Sequence, residues 1–277
     1  MRFSIIIPTY QRRDLLDLCL NCLEHYFQLG AQDRLGHQVE VIVTDDAHQS
    51  SVRSLLSRRY PWCRYVEGPQ CGPAANRNHG SSQSSGDWIV FTDDDCLPKP
   101  GWIEAFAVLA HQFDLLEGRT SAAGTRTRVD EECPINETGG FLWSCNFAIR
   151  REAFLALGGF NENFPAAAME DVELNLRANK AGLARAFVPD AVVLHPWRLR
   201  KDANHVIQHS LSVAEFVRLH PEVAKRFNCR SQALNLMRML KRDVQTCFTL
   251  KNMRGLIRQM RLRVISAFLV WHAVRQL

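Results

Sequence analysis

The sequence lacks the features of an exported or membrane-spanning chain. No window of about 18 residues is free of charged side chains, so we expect no spanning helix. The first residues, MRFSIIIPTY, hold only three consecutive isoleucines before Pro8, which is too short an apolar stretch for a signal peptide. We therefore expect a cytoplasmic protein.

A disulfide framework is also missing. The chain has nine cysteines, an odd number, scattered without the spacing of a disulfide-stapled domain. Cys19 and Cys22 form the only close pair in the sequence, and no second pair or histidine pair accompanies them, so a zinc or redox site is not indicated. We expect reduced thiols.

Acidic residues are almost absent from the last part of the chain. Residues 225 to 277 contain twelve Lys and Arg against one acid, Asp243, which gives this part a net charge of +11. The first 224 residues carry −6, because the whole chain carries +5. The two parts should therefore meet different partners.

Short apolar runs alternate with amphipathic helical patterns through most of the chain. The runs at 3–7, 39–43 and 88–91 have the length of buried strands, and each ends in a polar or acidic loop. Strands separated by helices predict a mostly parallel α/β sheet flanked by helices, because parallel neighbours need a crossover. Beyond residue 205 the pattern is helical. We expect an α/β domain over residues 1 to 204 and a basic amphipathic helical extension over residues 205 to 277.

Three adjacent carboxylates, Asp93, Asp94 and Asp95, follow the apolar run at 88–91. Like charges this close repel one another, so a cation is expected where they meet at a strand end. Side chains alternate along an extended chain, so Asp93 and Asp95 point the same way and can reach one divalent ion. The alternative is an acidic turn that caps the helix predicted near Trp102.

A second pair of acids, Glu170 and Asp171, opens a helical pattern that runs to Lys180. The positive end of the helix dipole favours ionised carboxylates, which suits a proton acceptor. On the other interpretation they are ordinary first-turn acids. His195 follows another apolar run, where a histidine is either a metal ligand or a packed, hydrogen-bonded side chain.

Taken in order, five segments resemble the family 2 glycosyltransferases with the GT-A fold. They are IIIPTY (5–10) with Arg12, VIVTDD (41–46), Gly72 with ANRNHG (75–80), FTDDD (91–95), and GGFNE (158–162) with EDVEL (170–174). The resemblance covers about the first 200 residues. It implies a Rossmann-like nucleotide-diphospho-sugar transferase fold. The activity that it implies is metal-dependent, inverting transfer of a sugar from a nucleotide diphosphate to a hydroxyl, as in polysaccharide or glycolipid synthesis.

The same resemblance assigns roles to residues. Asp95 would be the principal ligand of Mn²⁺ or Mg²⁺, with Asp93 near the metal and the ribose, and His195 as a further ligand. Asp171 would be the general base, with Glu170 as the second candidate. The positions that match the nucleotide-sugar site are Pro8, Thr9, Tyr10, Asp45, Asp46, Arg77, Asp93 and Asp94.

The acceptor side is harder to predict. Trp143 and Asn146 are our candidates, because an aromatic face suits a sugar ring and an amide suits hydroxyls. The chain also departs from the family pattern at two places. Ala47 and His48 stand where Gly and Ser are commoner, and Asn161 stands where Asp is usual. Both departures leave the identity of the nucleotide sugar open.

Residues 231 to 277 place apolar side chains at helical steps among many Arg and Lys. One interpretation is a peripheral attachment to the inner face of the cytoplasmic membrane, which suits a saccharide or lipid-linked acceptor. A second is that these helices pack on the catalytic domain and leave the arginines in solvent. Nucleic-acid binding is not expected, since no recognised motif accompanies the charge.

Two other functions fit the acids. A catalytically silent protein of the same fold would bind a nucleotide or a protein partner through the same pocket, but the intact set of Asp93, Asp95 and Asp171 favours an enzyme. A nucleotidyltransferase would normally have a Gly-rich or basic phosphate loop after the first strand, where this chain has Pro8 and Thr9.

Overall fold

The computed structural model describes residues 1–28, 36–48, 50–200 and 202–277. The chain forms two compact units. Unit 1 comprises Met1–Ala123, Pro134–Glu162 and Glu170–Pro196, and unit 2 comprises Gly124–Cys133, Asn163–Met169 and Trp197–Leu277. The domain boundary expected at residue 204 stays a prediction.

Unit 1 is built on an eight-stranded mixed sheet. In chain order the strands of the described residues are β1 (Arg2–Thr9), β2 (Gln38–Asp45), β3 (Cys63–Glu67), β4 (Trp88–Phe91), β5 (Leu97–Pro98), β6 (Leu115–Ala123), β7 (Glu131–Glu132), β8 (Phe147–Arg150), β9 (Arg185–Pro196) and β10 (Arg198–Leu199). The order in the large sheet is β3-β2-β1-β4-β8-β6-β9-β5. The predicted α/β sheet is confirmed.

Four strand pairs of this sheet are parallel and three are antiparallel. β1 is parallel to β2 and β4, β2 is parallel to β3, and β6 is parallel to β9. β8 runs antiparallel to both of its neighbours, β4 and β6, and β5 runs antiparallel to β9. The sheet is mixed because β8 returns directly between two strands that run the other way.

Helices flank the sheet, and their bounds in unit 1 are α1 (Arg13–Leu23), α2 (Val52–Arg59), α3 (Pro73–Ser82), α4 (Trp102–Leu109), α5 (Arg151–Ala156) and α6 (Glu170–Lys180). Side chains of β1 alternate between two apolar clusters, as expected of a strand buried on both faces. Phe3, Ile5 and Ile7 belong to one cluster, and Ile6 belongs to the other together with Leu174 of α6. This packing fixes α6 on one face of the sheet.

The register of the parallel strands places the polar loops side by side. Thr9 is paired with Asp45 across β1 and β2, and Ile6 is paired with Phe91 across β1 and β4. The carboxyl ends of β1, β2 and β4 therefore meet at one edge of the sheet, which is where ligands bind in open α/β sheets.

Unit 2 is mainly helical. It contains α7 (Ala203–Leu219), a 3₁₀ helix at Pro221–Phe227, α8 (Cys229–Leu250) and α9 (Leu256–Arg275), beside the small β7–β10 pair. Asp202 and Asn228 cap α7 and α8 by accepting backbone N–H groups at 3.1 and 2.8 Å. The predicted helical C-terminal region is confirmed. Within the described ranges, every helix is too short or too polar to cross a bilayer.

Candidate functional site

The three adjacent acids lie at the carboxyl end of β4, beside the end of β1. The Thr9 hydroxyl donates to Asp94 Oδ2 at 2.8 Å. Arg12 Nη1 lies 3.1 Å from Asp94 Oδ1 and 3.5 Å from Asp95 Oδ2. Burial raises the pKa of Asp94 to about 6, although Arg12 and Thr9 oppose the shift. The first loop of the chain thus holds Asp94 in place and offsets part of the negative charge.

A metal-ligating set stands next to these acids. Ligand atoms of Asp93, Asp95, Cys96 and His195 all lie within 4.8 Å of one another. His195 Nδ1 lies 2.8 Å from Pro196 O and donates to it, which leaves Nε2 as the acceptor nitrogen of the neutral ring. That nitrogen faces Asp95 Oδ1 at 3.5 Å. Carboxylate oxygens and an imidazole nitrogen that converge in this way fit Mn²⁺ well and Mg²⁺ in part.

Cys96 belongs to this cluster by position but not by its chemistry. Carboxylate oxygens and imidazole nitrogens suit Mn²⁺ and Mg²⁺, whereas a cysteine sulfur is a soft ligand that suits other metal ions. The residue is fully buried. Asp93, Asp95 and His195 therefore remain the candidate ligands, as expected from the sequence.

Arg77 of α3 connects the metal-ligating set to the acids of α6. Its guanidinium lies 2.7 Å from Asp93 Oδ1 and 3.3 Å from Glu170 Oε1, and its carbon lies 5.7 Å from the centre of the Phe160 ring. The side chain is only 6% exposed, so these ion pairs are shielded from water. One buried cation therefore holds the two acidic segments together.

Glu170 and Asp171 differ in their surroundings. Glu170 is buried and pairs with Arg77, whereas the Asp171 carboxylate accepts the backbone N–H of Val172 at 2.7 Å. Burial and the neighbouring Glu170 carboxylate raise the pKa of Asp171 to about 7. A carboxylate whose pKa lies near neutrality is suited to take up a proton during catalysis.

The residues expected at the nucleoside have unequal surroundings. Asp45 is fully buried, and its Oδ2 has no hydrogen-bond partner among the described residues. Asp46 instead accepts the backbone N–H groups of Gln70 and Gly72 at 2.7 and 2.9 Å. Asp45 is thus the better candidate to meet a ligand donor. Asp46 organises the loop that leads into α3.

Pro8 and Tyr10 flank Thr9 at the end of β1. Pro8 is buried and level with Thr44 of β2, whereas Tyr10 is 58% exposed. Tyr10 is therefore accessible at this edge of the sheet, whereas Pro8 lies inside β1, one residue before its end.

The structure corrects the expectation for Asn146. Its Nδ2 donates to Arg119 O at 2.8 Å and to Ala191 O at 3.0 Å, and its Oδ1 accepts from Trp102 Nε1 at 2.8 Å. The residue is 1% exposed. Because its amide is occupied by buried partners, Asn146 ties strands of the sheet together and offers nothing to an acceptor.

Trp143 has a partner that the sequence did not reveal. Its ring stacks on Phe141 with centroids 5.4 Å apart and planes 7° apart, and Phe141 is 46% exposed. Glu117 fixes this segment by accepting the backbone N–H groups of Phe141 and Leu142 at 2.7 Å each. Ser144, two residues later, donates its N–H to Asp171. The aromatic pair is therefore close in sequence to a group that contacts Asp171.

Sequence reasoning left several supporting residues unassigned. Arg12 was part of the first motif but received no role, although it contacts two acids of the triplet. Asn78 clamps the loop before α6 through hydrogen bonds to the Phe160 N–H and C=O, both at 2.8 Å. The position of Arg12 and Asn78 inside the motifs could have indicated these roles, since basic and amide side chains beside clustered acids usually form ion pairs or hydrogen bonds there.

Comparison with known proteins agrees with this geometry. Residues 4–116 match the family model described as Glycosyl transferase family 2. Glycosyltransferase AglE of Haloferax volcanii is 26% identical over 70% of this chain and 67% of its own length. Pre-mycofactocin glycosyltransferase of Mycobacterium tuberculosis is 31% identical over 46% of this chain. The alignment spans only 30% of that second relative.

Solved structures share the fold at low sequence identity. Mannosyltransferase PcManGT from Pyrobaculum calidifontis, in complex with GDP-Man and Mn²⁺, superposes with a TM-score of 0.62 at 19% identity, over 99% of this chain and 86% of its own. TarS from S. aureus in complex with UDP-GlcNAc gives 0.57 at 15% identity, over 100% and 91%. Both likenesses show the GT-A fold.

Proposed function

We propose that the chain is a family 2 glycosyltransferase that transfers a sugar from a nucleotide diphosphate to a hydroxyl group with inversion at the anomeric carbon, a proposal supported by the family model and the similar glycosyltransferases. The observation that carries the proposal is that Arg77 links Asp93 of the metal-ligating set to Glu170, the residue before Asp171. A binding protein has no need of a proton acceptor next to such a set.

On the donor side, we propose that Asp95, Asp93 and His195 hold a divalent cation. Mn²⁺ or Mg²⁺ bound there would stabilise the negative charge of the leaving diphosphate. Asp45 accepts an N–H of the base, and Thr9 and Asp94 border the nucleoside. Arg77 is the cation nearest to the metal-ligating set from α3, which supports a role beside the diphosphate.

On the acceptor side, we propose Asp171 as the general base. Its raised pKa supports this role, because a carboxylate near neutrality takes the hydroxyl proton while it is still ionised in part of the molecules. Attack on the face opposite the leaving group inverts the anomeric centre. The Phe141–Trp143 stack supports a sugar ring on the same side, since aromatic faces bind the apolar faces of sugars.

The partners in this proposal are a nucleotide-diphospho-sugar donor and a saccharide or lipid-linked acceptor. Nucleotide sugars occur in the complexes of the two structural neighbours. The proposed site of action is the cytoplasm and the inner face of the cytoplasmic membrane. No role for nucleic acid is proposed.

A thermal-shift screen tests the donor site directly. We expect one nucleotide diphosphate to raise the melting temperature only when Mn²⁺ is present, and we expect Asp95→Ala to abolish the rise. Asp190→Ala is the control, because Asp190 is an exposed acid of unit 1 outside the site. A rise of the same size without metal, or in Asp95→Ala, would show that these acids do not hold the cation.

Product assays separate the enzyme from its alternatives. A silent protein of this fold would show nucleotide binding without any release of the sugar from a radiolabelled donor. A nucleotidyltransferase would release pyrophosphate from a nucleoside triphosphate. Either result would exclude the proposed transfer reaction.

A further inference from the structure

The helix α8 is almost entirely uncovered. Among its residues, Asp243 is the one that is buried. Asp243 forms an ion pair with Arg263 of α9 inside unit 2. The charge of the single acid of residues 225–277 is therefore neutralised by Arg263, and the surface of this part of the chain is basic.

Large apolar side chains are concentrated where α8 ends and α9 begins. Phe248, Met253 and Ile257 are 78%, 70% and 75% exposed. We call residues 248 to 257 the apolar turn. Among the described residues, Val108 of α4 is the one other large apolar side chain with a comparable exposed fraction, 71%. Three such side chains within ten residues form a patch, whereas scattered single ones are ordinary.

The apolar turn is held in shape by buried groups. Gly255 has φ of +82°, and a Cβ there would lie 1.8 Å from Asp130 Oδ1. Asp130 Oδ2 accepts from Arg258 at 3.0 Å, and the Val129 N–H donates to Arg254 O at 2.8 Å. The turn is thus fastened to the segment around Asp130. Exposure of its apolar side chains is a feature of an ordered structure, not the result of a loose chain.

Basic side chains surround these apolar ones. Lys251, Arg254 and Arg261 are exposed, and Arg261 has no hydrogen bond or ion pair to any residue that the structure describes. An open groove of about 550 Å³ borders the turn, with Met253 and Ile257 on its apolar wall and Arg258 and Arg261 as its cations. Apolar surface beside the guanidinium group of Arg261 matches a phosphate headgroup above an acyl chain.

From these observations we infer that the apolar turn and the adjoining face of α8 bind the surface of a bilayer that contains anionic lipids. Phe248, Met253 and Ile257 enter the boundary between headgroups and acyl chains. Lys251, Arg254 and Arg261 meet the lipid phosphates. That this binding would bring the site to a lipid-linked acceptor rests on the proposed function. The binding to the bilayer does not depend on it.

The charge pattern favours a lipid surface over the other occupants. A second copy apposed through the same turn would bring two basic patches together, which is repulsive. Nucleic acid would use the arginines but has no use for exposed Met and Ile side chains. An anionic bilayer uses both kinds of side chain at once.

Vesicle flotation of the full chain tests this inference. We expect the protein to float with vesicles of phosphatidylcholine and phosphatidylglycerol, and not with phosphatidylcholine alone. We expect the triple change Phe248→Ser, Met253→Ser and Ile257→Ser to weaken binding by more than about tenfold, because apolar burial drives insertion. Arg254→Ala with Arg261→Ala should weaken it by about fivefold per charge.

Matched control variants show whether flotation depends on the apolar turn in particular. Val108→Ser and Arg58→Ala change equally exposed side chains of unit 1 and should leave flotation unchanged. Inorganic phosphate at the ionic strength of the buffer should not displace the protein from vesicles, which distinguishes lipid from free phosphate. Flotation is measured without donor or acceptor, so its failure is separate from failure of the transfer reaction.

Several outcomes would overturn the inference. They are flotation with neutral vesicles to the same extent, unchanged flotation of both turn variants, binding of duplex nucleic acid without binding of vesicles, and a dimer that depends on the turn without binding of vesicles. Melting temperatures of the variants show whether a loss is due to unfolding, and the Arg254→Ala, Arg261→Ala variant retains the apolar side chains in any case.

Discussion

At the scale of residues, the candidate site is a set of acids whose charges are partly offset by two arginines. Arg12 contacts Asp94 and Asp95, and Arg77 bridges Asp93 and Glu170. Removing one partner of a buried ion pair leaves an uncompensated charge, which is costly. The two arginines therefore allow the acids to lie close together in the folded chain. Of Glu170 and Asp171, Asp171 is the one without an ion pair to Arg77 in the described residues.

We expect Asp171→Asn to lower kcat by about 10²–10⁴-fold, because the amide cannot accept the acceptor's proton. The nucleotide- and Mn²⁺-dependent thermal shift should remain, since Asp171 is outside the metal-ligating set. Initial rates of transfer and melting curves on the same preparation measure both effects. The isosteric change Asp190→Asn is the control, and a kcat of Asp171→Asn within a factor of about two of the wild type would rule out this base.

The raised pKa of Asp171 predicts how kcat/KM depends on pH. As its pKa is raised to about 7, the carboxylate is protonated at lower pH, so kcat/KM should fall as the pH drops below about 7. Glu170→Gln removes the like charge next to Asp171, and it also frees Arg77 from one of its two carboxylate partners. Both changes lower the pKa, so the acid limb should move down by about one pH unit.

This shift is read from kcat/KM measured between acidic and mildly basic pH. The matched control is Glu152→Gln, because Glu152 is an exposed acid of α5. This change should not shift the acid limb of the kcat/KM profile. An acid limb of Glu170→Gln that coincides with that of the wild type would mean that Asp171 is not the titrating base.

At the scale of elements, the loop that leads towards α6 depends on side chains from two helices. Asn78 of α3 hydrogen bonds both to the Phe160 backbone and to Glu162 Oε1, the latter at 2.7 Å. Arg177 of α6 donates to Gly159 O at 2.7 Å and pairs with Glu173 at 2.6 Å. The loop is therefore tied to α3 and α6 together, the helices that carry Arg77 and the two acids.

Gly158 and Gly159 provide a matched test of this loop. Both have positive φ, +77° and +71°, but only at Gly159 would a Cβ meet another group, Asn78 Oδ1 at 2.6 Å. We expect Gly158→Ala to cost about 1–2 kcal/mol of unfolding free energy from backbone strain. Gly159→Ala should cost about 2 kcal/mol more, because Asn78 must give up hydrogen bonds.

Denaturant unfolding of both variants measures the difference, and transfer rates should fall further in Gly159→Ala, because Arg77 lies on the same helix as Asn78. Equal unfolding midpoints for the two variants would mean that Asn78 does not hold the loop.

At the scale of the whole molecule, we expect the fold to be stable without the proposed metal ion. Each acid of the triplet already has an ion pair with Arg12 or Arg77, so folding should not require a metal ion. We expect a chelator to change the melting temperature by less than about 2 °C, which is under about 1 kcal/mol for a chain of this size.

Transfer activity should nevertheless disappear on chelation and return with Mn²⁺. Calorimetric melting and rate measurements on one sample, before and after dialysis against chelator, provide the test. Unfolding on chelation would show that the cation is a structural element, and full activity after chelation would show that transfer does not use it.

The fold class and the positions of the main acidic segments were readable from the sequence alone. Hydrophobic runs of strand length, helical periodicity and acids at strand ends depend on local spacing, so they predicted the α/β sheet, the end of β4 and the start of α6. The motif resemblance then suggested the family and singled out Asp93, Asp95, Asp171 and His195, and the fold brings Asp93, Asp95 and His195 into one cluster.

Only the tertiary structure decided which polar side chains are free to meet a ligand. Asn146 and Asp46 have amide and carboxylate groups like those of ligand-binding residues, but long-range partners occupy them. The bridge from Asp93 through Arg77 to Glu170 joins residues that are far apart in the chain. The apolar turn is recognised only by the exposure of its side chains in the folded structure. Local sequence sets what a side chain can do, and packing determines whether its polar atoms are already satisfied.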